Sequence, residues 1–153
     1  MAIQILSLDI ATSCGWAHTR GRKIISGTWK LETPHRERSL WRCLNRYKKD
    51  HSIPDKVTFE EPGRLHGHAN KVLPPLVGVV RLWAHLHGCQ VETIRPTSLK
   101  KFATGSGKAQ KTDMVAALAD KSNVSLDSEK AFDEADAVWV LIATQQGETT
   151  KAD

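Results

Sequence analysis

Four carboxylates of the sequence stand where they could act together. Asp133 and Asp136 are one helical turn apart, while Asp9 and Glu60 each close a short apolar run. Carboxylate oxygens are hard ligands of the kind that Mg²⁺ and Mn²⁺ prefer. Each acid also has an ordinary alternative, because first-turn acids are stabilised by the helix dipole and a strand-end aspartate often forms a turn.

Asp136 is the acid that the ordinary alternative explains least well. One buried helical stripe is predicted from the three-and-four spacing of Phe132, Asp136, Trp139 and Ala143. Asp133, one turn earlier, points toward the same side. An ionised carboxylate in such a stripe costs several kcal/mol unless a cation or hydrogen bonds neutralise it. The pattern therefore favours a neutralising partner at Asp136, whereas Asp133 also suits a plain first turn.

The rest of the pattern is typical of an α/β domain. Apolar or alternating runs predict five strands, at residues 3–9, 16–19, 24–31, 56–61 and 89–94. One helix is predicted over residues 35–50, and a second runs from Pro74 and Pro75 to residue 88. A short helix is predicted just before residue 105, and another begins at about Lys108 or Ala109. Strand ends in an open sheet converge on a crevice. Asp9 and Glu60 are therefore expected to lie near each other.

Length and charge limit the function classes. The 153 residues predict one domain at residues 1–145, followed by a polar, disordered tail at 146–153. A net charge of +5 favours a polyanionic partner around an acidic centre. No run approaches the ~20 apolar residues of a membrane span, and no signal-peptide pattern is present. Three cysteines without metal spacing favour a reducing cytoplasm and no membrane.

Basic residues surround a glycine-bearing loop in the last third of the chain. Gly105 and Gly107, on either side of Ser106, would let backbone amides approach a phosphate, and a following helix N-terminus favours anions. The lysines that frame this loop are Lys100, Lys101, Lys108 and Lys111. A flexible linker is the alternative, but the lysines favour phosphate contact. Arg64 opens a second basic loop and is assigned to the same nucleic-acid surface.

Two further patterns are better explained without a site. Arg38, Arg42 and Arg46 form a helical row, which is more often a solvated face than a nucleic-acid contact. Histidine pairs at residues 66 and 68 and at residues 85 and 87 lack a third and fourth ligand at zinc spacing.

These residues together resemble the RuvC-type Holliday junction resolvases, in their phage-like branch within the ribonuclease H-like superfamily. The resemblance runs over about residues 3–145. It is carried by Leu8-Asp9-Ile10-Ala11-Thr12-Ser13-Cys14-Gly15-Trp16-Ala17, by Phe59-Glu60-Glu61-Pro62, by residues 100–111, and by Asp133-Glu134-Ala135-Asp136-Ala137. It implies a ribonuclease H-like fold, with a mixed five-stranded sheet and helices on both faces. It also implies a homodimeric endodeoxyribonuclease that nicks four-way (Holliday) junctions and related branched DNA.

The resemblance also assigns roles within the site. Asp9, Glu60, Asp133 and Asp136 fall on the four carboxylates that hold two Mg²⁺ or Mn²⁺ ions for two-metal phosphodiester hydrolysis.

Two choices refine this assignment. Glu60 is selected over Glu61 because the family's glutamate follows a hydrophobic residue, here Phe59. Lys100 and Lys111 fall on the family's basic positions near the scissile phosphate, with Lys111 as a catalytic residue. Glu134 is left outside the site.

Departures from the family pattern leave rival functions open. The opening turn is one residue shorter before Gly15, and Gly63 stands where some members carry an aromatic wedge that opens the junction centre. A broader debranching or flap endonuclease of the same fold is therefore an alternative. The first motif also looks like the phosphate loop of sugar kinases and actin-like ATPases, although those chains are much longer. A catalytically silent branched-DNA-binding protein is the third alternative.

Overall fold

Six strands form one open, mixed sheet in the described residues, which are 2–63, 66–121 and 131–152 of this computed structural model. The strands are β1 (Ile5–Asp9), β2 (Ser13–Arg20), β3 (Lys23–Lys30), β4 (Lys56–Glu60), β5 (Gln90–Ile94) and β6 (Thr150–Lys151). Their order across the sheet is β3-β2-β1-β4-β5-β6. β1, β4 and β5 are parallel, whereas β2, β3 and β6 run antiparallel to their neighbours. The three parallel strands thus end at the same edge.

Helices cover both faces of this sheet, as predicted. They are α1 (Arg36–His51), α2 (Ala69–Leu86), α3 (Pro96–Thr104), α4 (Lys111–Lys121) and α5 (Ala131–Gln145). One core joins α1 and α2 to the sheet, and a second core joins α3, α4 and α5 to its other face. None of the helices in the described ranges is long and apolar enough to cross a membrane.

The alternation of β1 decides which residues reach which core. Leu6 and Leu8 are fully buried against α1 and α2, where burial of each such side chain contributes roughly 1.5–3 kcal/mol. Ser7 faces the other way, and its Oγ lies 2.7 Å from Oγ1 of Thr58 in β4. Thr144 of α5 places its own Oγ1 3.2 Å from that of Thr58. Asp9, two residues beyond Ser7, therefore lies on the face that α5 covers.

The start of α2 differs from the prediction. Pro74 and Pro75 were expected to begin a helix, but the helix begins at Ala69 and both prolines lie inside it. The turn before them is retained because Val72 and Leu73 pack against the core, while both prolines face solvent. Tertiary packing thus outweighs the hydrogen bonds that the prolines remove.

The end of the chain also differs from the prediction. The segment 146–153 was expected to be disordered, but Thr150 and Lys151 pair with Thr93 and Glu92 as a sixth strand. Thr149 Oγ1 donates a hydrogen bond of 2.6 Å to the Glu92 carboxylate. These contacts cover part of the outer edge of β5.

Candidate active site

Two acids meet at the ends of neighbouring parallel strands. The register pairs Leu8 with Phe59, so the next residues, Asp9 and Glu60, stand side by side where β1 and β4 end. Both lie on the α5 face, because each follows Ser7 or Thr58 by two residues. Glu61 projects to the other side, where its carboxylate accepts a 2.9 Å hydrogen bond from Thr93 Oγ1. Strand alternation thus separates Glu60 from Glu61.

Two further acids come from the first turns of α5. Thr144 contacts Thr58, and Val140 and Asp136 precede it at successive four-residue steps along the same helix face. Asp136 is therefore carried back to the strand ends, and Asp133 lies one turn closer to the helix start. Both side chains are partly buried.

Phe132 was predicted to belong to the buried stripe of α5, and this was wrong. Its side chain is 47% exposed, whereas Trp139 and Ala143 are buried as predicted. The main chain of this first turn packs on the sheet at Gly15, but the Phe132 side chain itself points to solvent.

Gly15 allows the first turn of α5 to lie directly on the sheet. It is the register partner of Asp9 in β2. A Cβ at this position would collide with the carbonyl oxygen of Asp133 and approach the amide nitrogen of Glu134 to 3.2 Å. Main chain therefore packs on main chain here, and any larger residue would push Asp133 away from Asp9.

Glu134 fixes the same turn from the side. Its carboxylate is buried and accepts a 3.0 Å hydrogen bond from Ser26 Oγ in β3. Sequence reasoning placed Glu134 outside the carboxylate set but missed this role. The signal was present, because Ala137, Val138 and Leu141 follow at helical spacing and are all buried.

The electrostatics show that the acids form one coupled cluster. Burial raises the pKa of Asp9 well above its ordinary value, and the charges of Asp136, Glu60 and Asp133 raise this pKa further. Burial, and then Asp136, raise the pKa of Glu60 to about 7. The pKa of Asp136 is raised as well, chiefly by burial. Like charges held together in this way favour a bound cation or a bound proton.

Two lysines offset part of this repulsion. The charge of Lys111, at the first residue of α4, lowers the pKa of Asp9, and that of Lys100, in α3, lowers the pKa of Glu60. Both lysines lower the pKa of Asp136. Neither forms a direct ion pair there; in the part of the chain that the structure describes, the ion pair observed joins Lys56 to Glu92 at 2.8 Å. Their ammonium groups therefore remain available to an anion.

The glycine-bearing loop joins α3 to α4. Gly105 adopts a left-handed conformation (φ 85°), and its amide closes the C-terminus of α3 on Lys101 O at 2.8 Å. The amides of Ser106 and Lys108 donate to the side-chain oxygens of Thr104 and Ser106. These three amides thus already have partners.

The other predicted contact residues are placed as follows. Gly107 lies between the two helices, Lys101 and Lys108 are exposed, and Arg64 falls outside the described residues. The helix expected from Lys108 or Ala109 begins instead at Lys111, where the Asp113 carboxylate accepts a 2.8 Å hydrogen bond from the Gln110 amide. Phosphate contact by this loop would therefore come from its lysine side chains.

The carboxylate cluster fits a hard divalent cation by the chemistry of its donors. Asp9, Glu60, Asp133 and Asp136 supply only oxygen ligands, and their mutual repulsion is what a cation would relieve. The cluster is open, since among the described residues no three Asp, Glu, His or Cys side chains close around one point. Binding would therefore draw the carboxylates inward.

Comparisons with known proteins give the fold. No family profile and no curated protein matches the sequence. A Thermus thermophilus RuvC in complex with a Holliday junction substrate is similar at a TM-score of 0.76 and 16% identity, covering 99% of this chain and 100% of that one. A second T. thermophilus RuvC structure gives 0.71 and 18%, covering 98% and 100%. The chain therefore has the ribonuclease H-like fold of RuvC over nearly its whole length.

Proposed function

We propose that the protein is a metal-dependent endodeoxyribonuclease that nicks four-way DNA junctions and related branched DNA. The observation that carries the proposal is the cluster of Asp9, Glu60, Asp133 and Asp136. Two strand ends and one helix bring these acids together, although burial and the charges of Asp136, Glu60 and Asp133 raise the pKa of Asp9. Such an arrangement lowers stability unless it serves a ligand. The likeness to a RuvC bound to a Holliday junction indicates the substrate class.

The residues of the cluster would hold two Mg²⁺ ions, for which Mn²⁺ would substitute. Asp9 is the central ligand, since it is coupled to all three other acids. Divalent ions bound there would supply Lewis-acid activation of water and stabilisation of the leaving oxygen. Gly15 and Glu134 keep the first turn of α5, and with it Asp133 and Asp136, close to the strand ends.

Lys100 and Lys111 would bind the phosphate of the strand to be cut. They flank the cluster, and the charge of Lys111 lowers the pKa of both Asp9 and Asp136. We assign Lys111 to charge stabilisation at the reacting phosphate and Lys100 to positioning of the strand. The remaining basic residues, including Lys101, Lys108 and Arg64, would supply affinity that falls as salt rises.

A homodimer would place two such sites on the two strands of one branch. Leu82 and Leu86, one turn apart on α2, are 53% and 61% exposed. Exposed leucines at this spacing suit a helix that is covered by a second copy. We expect a dimer in sedimentation experiments and a monomer for Leu82→Glu/Leu86→Glu; a wild-type monomer would contradict this part of the proposal.

The function is tested with Asp9→Asn, which keeps the shape of the side chain and removes its charge. We expect this variant to bind a four-way junction about as tightly as wild type and to lose Mg²⁺-dependent nicking. Glu61→Gln is the matched control, because Glu61 directly follows Glu60 but faces away from the cluster. Retained nicking by Asp9→Asn would overturn the assignment, as would equal loss in Glu61→Gln.

A further inference from the structure

A cavity of about 560 Å³ lies between α1 and the β2–β3 hairpin, on the sheet face opposite the carboxylates. Its position follows from strand alternation, because Trp16 pairs with Leu8 of the α1 side, whereas the preceding Gly15 pairs with Asp9. We call it the tryptophan cavity, after Trp16 and Trp29 in its wall. It shares no residue with the carboxylate cluster or its lysines.

The two tryptophans form a stacked platform. Their ring centroids are 5.8 Å apart at an interplanar angle of 24°. Trp16 lies flat across β3 because Gly27 is opposite it; a Cβ at Gly27 would come within 2.7 Å of the Trp16 ring. Both side chains remain partly exposed. A nucleobase can stack on a flat aromatic surface that is open to a cavity, and the gain in binding free energy depends little on which base it is.

Cations stand beside this platform. Arg42 and Arg46, one turn apart on α1, and Lys30, at the end of β3, line the cavity together with the carboxylates of Glu32 and Asp50. Arginine guanidinium groups bind phosphate in a bidentate manner. The two carboxylates would repel a ligand that carries only negative charge, whereas a nucleobase has N–H donors that can hydrogen-bond to them.

We propose that the tryptophan cavity binds single-stranded nucleic acid, with a base on Trp16 and Trp29 and the adjoining phosphate on Arg42 and Arg46. This site would hold an unpaired strand on the sheet face opposite the carboxylates rather than cut it. It gives a role to two members of the arginine row of α1, which sequence alone favours as a solvated face. The proposal stands apart from the nuclease proposal, because binding here needs neither the carboxylates nor a metal.

The test measures binding of a fluorescently labelled thymidine decanucleotide to the full-length Asp9→Asn protein in EDTA. Arg42→Gln and Arg46→Gln are compared with Arg38→Gln, which removes an equal charge from the same exposed row but does not line the cavity. We expect each cavity variant to weaken binding about fivefold or more and to reduce the salt slope, by ~0.7 for one lost phosphate contact. Arg38→Gln should bind as the parent protein does.

Intrinsic tryptophan fluorescence locates the bound strand. The decanucleotide should quench the parent protein, because a base stacks on Trp16 and Trp29, and Trp29→Leu should reduce this quenching and weaken binding about tenfold. The arginine variants keep the test decisive if Trp29→Leu does not fold. The proposal is overturned if Arg42→Gln and Arg46→Gln bind normally, if Arg38→Gln weakens binding equally, or if thymidine monophosphate binds as tightly as the strand.

Discussion

Glu60 should destabilise the metal-free protein at neutral and alkaline pH. Burial and Asp136 raise its pKa from 4.5 to about 7 in the folded state. At pH values between these two pKa values, Glu60 holds a proton in the folded protein that it has released in the unfolded chain. The free energy of unfolding therefore falls as pH rises. The shift corresponds to at most about 3 kcal/mol, or about 1–2 kcal/mol after allowance for solvent screening of a partly exposed group. Asp9 contributes in the same direction.

Glu60→Gln removes this cost, because the amide is neutral at every pH. We expect the variant to be more stable than wild type by about 1–2 kcal/mol at about pH 8 in EDTA, with the difference shrinking near pH 5. The measurement is urea unfolding at both pH values. Glu61→Gln is the control and should change stability by no more than about 0.5 kcal/mol. A Glu60→Gln protein that is no more stable than wild type at about pH 8 would refute the assigned electrostatics.

Three further substitutions test the geometry of the site. Gly15→Ala should reduce nicking by more than about tenfold and lower stability by about 1–3 kcal/mol, because its methyl group displaces the main chain of Asp133; activity and urea unfolding measure the two effects. Ser26→Ala should cost about 1–3 kcal/mol, since it leaves the buried Glu134 carboxylate without this donor, and thermal unfolding measures the loss. Lys111→Met should lower the single-turnover cleavage rate about 10²–10³-fold while junction binding changes little.

Two of these substitutions have matched controls. Gly78→Ala is the control for Gly15→Ala, because a Cβ at Gly78 would stand in open space. Gly21→Ala is unsuitable for this comparison because Gly21 has a positive φ. Lys108→Met removes an exposed lysine from the loop before α4 and should leave the cleavage rate within a few fold. Normal stability in Ser26→Ala, or equal rate losses in Lys108→Met and Lys111→Met, would contradict the roles assigned here.

The α/β class and the meeting of Asp9 with Glu60 could be predicted, because both depend on local periodicity and on the rule that parallel strand ends converge. Helical spacing likewise brought Asp133 and Asp136 to one side of α5. These signals are repeated along the chain, so small errors in element boundaries do not disturb them.

The failures concern contacts between distant segments. The two-residue strand β6 depends on the free edge of β5, and the start of α2 depends on core packing of Val72 and Leu73. Phe132 follows the buried stripe in spacing, but its side chain is exposed to solvent. The contact of Gly15 with the Asp133 main chain joins residues that no local pattern connects.

The central claim is tested most directly by one cleavage panel. Wild type and Asp136→Asn are given a four-way junction, a flap and a fork of matched sequence, each with Mg²⁺ and with Mn²⁺, and the nicks are mapped. We expect wild type to make symmetric, paired nicks in the four-way junction in a metal-dependent reaction and Asp136→Asn to make none. An uncut junction, metal-independent cleavage, or full activity of Asp136→Asn would contradict the proposal. Equal cutting of the flap and fork would favour the broader debranching endonuclease over a junction-selective one.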